Sequence, residues 1–345
     1  MQSSPVVSVL LPVRNGMPFV VDAIQSVLDQ SFSNFEVVVI NDGSDDGTRA
    51  FLEKINDKRV KIIDTMGIGL VGALNLGLNQ CCGKYIARMD ADDICMPGRF
   101  STQVSLLEND LTIGVVCTDI ERINEQGCVI GEEKSLIIDN NQLRDGLTCK
   151  QQLKPIVHPS VMMRADILRE VGGYRNYHSA EDRDLWLRLV DRCKFHRIST
   201  PLLKYRLTTS GISRTQREKQ TASALLAVFN YLLHKKTHVD LYIMYPSVWY
   251  DFNRVFINYA YHQTKAVMAF EKTKKMVRQR KYWVACWGVM KQLFDCPNYY
   301  FPQLRRKSDN LFITKMLELA TTFFAAIDEL PSDLVSSCMD NSLVL

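Results

Sequence analysis

Three carboxylates stand within four residues at Asp90-Ala91-Asp92-Asp93, directly after the apolar run Tyr85–Met89. At that spacing they repel one another, and a fold that gathers them at a strand end needs positive charge nearby. Hard divalent cations, Mn²⁺ or Mg²⁺, take oxygen ligands and few protein contacts, so Asp90 and Asp92 on one tight turn suit either ion. A solvated acidic turn, or a helix cap ahead of Pro97, accounts for the same residues. A second polar cluster, Asn41-Asp42-Gly43-Ser44-Asp45-Asp46-Gly47-Thr48, follows the run Phe35–Ile40. Asp42 at that strand end can accept hydrogen bonds from a base or ribose, or act as a turn residue. Ser44 or Asp45 can cap the helix expected next. Glu181 and Asp182 open the amphipathic stretch Asp182–Val190. A carboxylate at a helix N-terminus stays ionised and, aimed into a cleft, acts as a general base; a plain helix cap fits the same pattern. His158, in His158-Pro159-Ser160, is the most distinctive of six histidines, although a lone histidine is commonly a core residue.

These clusters need elements that bring them together. Val6–Leu11, ended by Pro12, reads as a first strand; Phe35–Ile40, Val60–Ile63 and Tyr85–Met89 read as three more. Near-continuous apolar runs of this kind mark strands buried on both faces, as in parallel sheets. Helical periodicity fills the intervals at Pro18–Gln30, around Phe51, Leu52 and Ile55, and at Leu70–Gln80. The alternation predicts a doubly wound α/β domain with a mostly parallel sheet. Ligands of such sheets bind at the carboxyl ends of strands. Pro12–Asn15, Asn41–Ser44 and Asp90–Asp93 all fall at such ends, and that coincidence weighs more than any one cluster.

Farther on, the pattern predicts a helix over Arg99–Leu107, a strand over Gly114–Thr118, a hairpin turning at Glu125–Gly127 and a short helix over Asp139–Leu147. A short strand, Ser160–Met163, and a helix, Asp166–Val171, stopped by Gly172-Gly173, follow. Phe195–Ile198 and Leu203–Arg206 read as separate strands. Near Thr208–Thr215 glycine almost vanishes and long helical, basic and aromatic patterns take over. Two domains are expected, residues 1–214 and a helical region, residues 215–345.

Composition narrows the function. A net charge of +4 over 345 residues argues against a dedicated nucleic-acid binder. Ten cysteines without a CxxC pair argue against a zinc ribbon or thioredoxin-type site and fit reduced thiols in the cytoplasm. No stretch approaches the roughly 20 apolar residues of a membrane span. The segment Lys265–Lys291 is basic and aromatic, a pattern that suits either peripheral contact with anionic lipid or ordinary helical packing.

The stretches VSVLLPVRNG, FEVVVINDGSDDGT, GLVGALNLGL, GKYIARMDADDICMPGRF and SAEDRDLWLRL occur in this order, within a resemblance that covers roughly Ser8 to Arg214. Five motifs in register resemble family 2 glycosyltransferases, specifically the bacterial enzymes of O-antigen, capsule and lipooligosaccharide assembly. The resemblance implies a GT-A fold, a nucleotide-sugar donor such as a UDP-sugar, and inverting, metal-dependent transfer to a glycan or polyprenyl-linked acceptor. It places the protein in the cytoplasm, peripheral to the inner face of the membrane. Residue by residue, it implies that Pro12, Val13 and Arg14 line the nucleotide pocket and that Asp42 contacts uracil or ribose. Asp90 and Asp92 form the DxD motif, with Asp90 also toward the nucleotide and Asp92 the more direct metal ligand. Asp182 matches the catalytic base, with Glu181 beside it, and His158 is a candidate contact to acceptor or phosphate. Ala73-Leu74-Asn75 departs from the family's Ala-Arg-Asn, so a basic nucleotide contact is missing and Asn75 alone remains a candidate. The Gln-x-x-Arg-Trp motif of processive members is absent, which favours addition of one sugar per event. A nucleotidyltransferase would carry a glycine-rich basic loop after the first strand, where this chain has PVRNGMPF; a non-catalytic nucleotide-binding module is the other alternative.

Overall fold

The apolar runs of the N-terminal half become β1 (Val7–Val13), β2 (Phe35–Asp42), β3 (Val60–Thr65) and β4 (Tyr85–Arg88) in the computed structural model. The structure describes residues 4–134, 139–148, 156–177, 179–209, 217–238 and 240–244. The four strands lie in the order β3-β2-β1-β4, all parallel. Helices α1 (Phe19–Leu28), α2 (Thr48–Leu52) and α3 (Gly69–Gln80) connect them. Every residue of β1 and β4 is buried, as expected of strands covered on both faces. Val20, Ala23, Ile24 and Val27 of α1 face the same core as Val9, Leu11, Val37 and Val39. Helix α3 approaches the sheet closely at Gly77, where a β-carbon would stand 2.2 Å from Leu10 Cδ1.

The remaining elements are β5 (Ile94–Cys95), α4 (Arg99–Asn109), β6 (Ile113–Ile123), β7 (Val129–Glu133), α5 (Asn140–Leu147), β8 (Met162–Arg164), α6 (Ala165–Glu170), α7 (Glu181–Leu189) and β9 (Lys194–Arg206). The full sheet runs β3-β2-β1-β4-β8-β6-β9-β5, with β7 beside β6. Strand β8 is antiparallel to both β4 and β6, so it joins the wholly parallel half to a mixed half. This is the Rossmann-like α/β architecture expected from the sequence.

Several boundaries differ from the sequence reading, each for a local reason. Strand β1 continues through Pro12 to Val13 paired with β2. Pairing with β4 has already ended at Leu10, so Pro12 interrupts no ladder on that side. The two short strands expected between Phe195 and Arg206 are one strand; register shifts against β6 on both sides of the Asp119–Pro201 pair pass over Ser199, Thr200 and Leu202. Residues His158–Ser160 form a 3₁₀ turn ahead of β8 instead of its beginning. Strand β5 is too short to show a pattern and exists through pairing with Leu203 and Lys204.

The chain divides into two compact units. The first carries the sheet. The second holds the described residues of 145–148, 177–184 and 217–244, including α8 (Arg217–Thr237) and α9 (Leu241–Met244). Within it, α8 buries Leu226, Ala227, Val228 and Tyr231, Asn230 donates to Asp240 Oδ1 at 3.1 Å, and the rings of Tyr177 and Tyr242 stack at 6.1 Å. The Lys265–Lys291 segment lies outside the described residues. Among the described residues no helix is long and apolar enough to cross a membrane.

Candidate active site

The loops after β1 and β2 are tied into one rim. The backbone N–H groups of Asn15, Gly16 and Met17 donate to Ser44 Oγ, Thr48 Oγ1 and Asp46 Oδ2, each at 2.9 Å. Asn15 Oδ1 accepts in return from Asp45 N–H at 2.9 Å. The hydroxyls and carboxylate of the Ser44–Thr48 run therefore hold the neighbouring loop. The N-cap of α2 is Gly47, in the left-handed region, and neither Ser44 nor Asp45 caps the helix; Asp46, one residue before Gly47, accepts through Oδ1 from Thr48 N–H at 3.0 Å and Thr48 Oγ1 at 2.6 Å. Pro12 and Val13 are buried at the end of β1, and Arg14 beyond them is exposed.

Asp42, 4% exposed at the end of β2, binds the loop between β3 and α3. Its Oδ1 accepts from Thr65 Oγ1 at 2.5 Å and Ile68 N–H at 2.6 Å, and its Oδ2 accepts from Gly69 N–H at 2.8 Å. Asp42 thus caps α3 from the neighbouring strand. Burial pushes its carboxyl upward, but these three hydrogen bonds and the Arg14 charge together hold it below its ordinary value. The turn is tight: Gly43 has φ of +70°, and a β-carbon on it would lie 3.2 Å from Gly67 N. A side chain there would meet both an unfavourable backbone angle and a backbone atom.

Asp90, Asp92 and Asp93 present ligand oxygens that all lie within 4.8 Å of one another. Two arginines face them. Arg88, 2% exposed, donates through Nη2 to Asp90 Oδ1 at 2.6 Å. Arg206, from the end of β9, donates its backbone N–H to Asp93 Oδ1 and its Nε to the Asp92 carbonyl, both at 2.8 Å. Part of the compensating charge demanded by the acidic run is therefore built into the protein. It does not suffice: burial and then the Asp90 charge push the Asp92 carboxyl up to about 6. Burial, with the charges of Asp92 and Asp90, raises Asp93 well above its usual range. Asp93 is fully buried and its Oδ2 has no hydrogen-bond partner. A hard divalent cation fits this all-oxygen donor set and would relieve both the repulsion and the unpartnered oxygen. Sequence reasoning missed Arg206, which lies 113 residues from the carboxylate it binds.

Asn75 on α3 uses both ends of its amide on Tyr174: Nδ2 donates to the carbonyl at 2.8 Å, and Oδ1 accepts the N–H at 2.9 Å. It anchors the turn after Gly172-Gly173. His158, 9% exposed, lies 2.9 Å from Tyr174 Oη through Nε2 and edge-on to Trp186. Burial, with the positive charge of Arg88, holds its imidazole well below the usual range, so it is neutral at pH 7. Glu181 and Asp182 open α7 in the second unit. Glu181 is buried, and Asp182 Oδ1 accepts from Arg183 N–H at 2.7 Å. The structure thus gathers Asp42 with Arg14, and Asp90 with Asp92, around the ends of the parallel strands.

Fold and acidic loop together define a class, the Rossmann-like GT-A proteins. The pattern that describes glycosyl transferase family 2 matches residues 8–172. A glycosyltransferase of Haemophilus influenzae is 35% identical over 233 residues, 65% of this chain and 72% of that protein. The O-antigen biosynthesis glycosyltransferase WbnJ of Escherichia coli is 34% identical over 219 residues, 61% of this chain and 82% of WbnJ. Staphylococcus aureus TarS 1–349, solved in complex with UDP-GlcNAc, shares the fold with a TM-score of 0.57 at 16% identity, over 83% of this chain and 80% of that one. The chain belongs to glycosyl transferase family 2 and is a glycosyltransferase.

Proposed function

We propose that the protein transfers one sugar from a nucleoside diphosphate sugar, a UDP-sugar, to a hydroxyl of a glycan or polyprenyl-linked acceptor, with inversion and with Mn²⁺ or Mg²⁺. The observation that carries this reading is the mutually repelling set Asp90, Asp92 and Asp93 at the carboxyl end of β4. Asp92 and Asp90 would hold the cation, which when bound supplies Lewis acidity to a diphosphate leaving group. Arg14 and the rim formed with Asp42 receive the nucleotide; Pro12 and Val13 shape its floor. The donor class follows the family and the fold neighbour TarS, solved with UDP-GlcNAc.

The acceptor hydroxyl is a weak nucleophile at neutral pH. Asp182, at the start of α7, takes its proton as attack begins, and Glu181 positions it. Attack from the side opposite the leaving group inverts the anomeric centre, through a transition state with oxocarbenium character as in glycoside hydrolysis. The likeness to WbnJ, named for O-antigen biosynthesis, supports a place in surface-polysaccharide assembly on the cytoplasmic face of the membrane.

The purified full chain should be screened for binding and slow hydrolysis of UDP-, GDP- and dTDP-sugars, with and without Mn²⁺. The reading expects cation-dependent hydrolysis of one or more UDP-sugars. Full activity in excess chelator would remove the metal role, and binding confined to another nucleotide would remove the uridine assignment.

A further inference from the structure

We propose that Arg206 is a positioning residue for the acidic loop: it pins the Asp92 main chain against the β6–β7 turn so that the Asp90 and Asp92 carboxylates face one cation together. The inference rests on the reading of that loop as the metal site. Arg206 is the last residue of β9 and only 4% exposed. Its Nε donates to the Asp92 carbonyl at 2.8 Å, and its Nη1 donates to the carbonyls of Asn124 and Glu125 at 3.2 and 3.0 Å. Its backbone N–H binds Asp93 Oδ1 at 2.8 Å. The guanidinium also lies 4.5 Å from the centroid of the Phe19 ring.

Most of these contacts go to main-chain carbonyls on two separate loops. The ion pair with Asp22 is long, 3.9 Å, and its carboxylate is 65% exposed, so it contributes little. A planar fork with several fixed donors can bridge two loops at once, whereas a lysine ammonium on a flexible stem cannot reproduce that geometry. The charge also lies against the main chain of Asp92, within a run of three carboxylates that repel one another. One side chain therefore supplies both the geometry of the loop and part of its neutralisation. Residues that orient the ligands of a metal without touching it commonly change affinity by 10–100-fold when lost.

Arg164 provides a matched control. It too is buried, 8% exposed, and it donates to the carbonyls of Leu107, Asp110 and Ile113, none of which belongs to the acidic loop.

The test measures Mn²⁺ binding to the full chain by electron paramagnetic resonance, without donor, beside the melting temperature. Arg206→Met should lower Mn²⁺ affinity by roughly 10–100-fold. Arg206→Lys should fall between it and the parent, because it keeps the charge and loses the fork. Arg164→Lys should lower the melting temperature and leave Mn²⁺ affinity unchanged. A folded Arg206→Met that binds Mn²⁺ within about twofold of the parent overturns the positioning role; if that variant does not fold, Arg206→Lys decides by the same criterion. A parent that binds neither Mn²⁺ nor Mg²⁺ overturns the metal reading beneath it, a result distinct from equal binding by parent and variant.

Discussion

Asp42 and Asp92 both stand where a parallel strand ends, one on β2 and the other just past β4, and their surroundings treat charge in opposite ways. Three donors converge on the Asp42 carboxylate, and it stays below its ordinary pKa despite burial. Asp92 is half-buried beside two further carboxylates and is pushed up to about 6. One acid is satisfied by the fold and holds a loop in place. The other is left in deficit by the fold, and a deficit of that kind is what a cation corrects. An acid at a strand end is thus not one kind of residue; its donors decide whether it is structural, ligand-binding or both.

The largest expected effect tests the deficit side. Asp92→Asn should lower turnover by about 10³-fold, since a lost Lewis acid removes several kcal/mol of transition-state stabilisation. Initial rates across a Mn²⁺ titration check it. An Asn variant as active as the parent would make the acidic loop an ordinary turn and leave the two aspartates alike.

Asp182 lies outside that pair and tests whether base and metal site are separate. Asp182→Asn should slow transfer by roughly 10²-fold or more while UDP-sugar affinity and melting temperature stay near the parent values. Glu181→Gln should cost less. Loss of donor affinity by calorimetry in Asp182→Asn would assign the pair to the donor side. A normal rate on a verified acceptor would leave Asp182 as a helix cap. His158 is a poor replacement, because its neutral, buried ring is engaged with Tyr174.

Asp42 should show a mixed phenotype. Asp42→Ala removes a cap and leaves the N–H groups of Ile68 and Gly69 without their acceptor, a loss of about 1–3 kcal/mol. Weaker nucleotide binding should accompany a lower melting temperature. Because the folded carboxyl lies below its ordinary value, its stabilisation is present above about pH 4 and fades as pH falls through the folded value. Asp42→Asn should therefore flatten the acid limb of the stability profile. Unchanged nucleotide affinity in either variant would confine Asp42 to the loop it caps.

The parallel half of the sheet was legible because four apolar runs alternate with helical patterns, and the strand-end clusters were legible because polar residues interrupt those runs. What stayed hidden depends on distance along the chain. Nothing near Arg206 announces that it supports Asp92 and Asp93, since β6, β8 and β9 must first assemble. Asn75 looks like a nucleotide contact in its own helix, yet its amide faces the backbone of Tyr174, 99 residues away. Ser44 and Asp45 read as cap candidates for the next helix, yet its N-cap is Gly47, and Ser44, Asp46 and Thr48 hold the loop after β1 instead. Local pattern identifies which groups are polar at a strand end; only the folded partners say what each group does.

The smallest effect separates the two aspartates most cleanly, because the sign reverses. In metal-free protein at pH 7, Asp92→Asn removes one of the crowded charges while keeping the volume and some hydrogen-bonding capacity. It should raise the melting temperature by roughly 2–4 °C, about what 1 kcal/mol produces in a domain of this size. Asp42→Asn, made in the same protein, removes a charge that three donors stabilise, and the melting temperature should fall. Adding Mn²⁺ should stabilise the parent by mass action and stabilise Asp92→Asn less, so the order of the two melting temperatures narrows or inverts. Calorimetry in chelator and then in excess Mn²⁺ reads all of these. If Asp92→Asn is destabilised without metal as strongly as Asp42→Asn, then Arg88 and Arg206 already balance the acidic loop. The reason for a cation at Asp92 would then disappear, and the two strand ends would differ only in sequence.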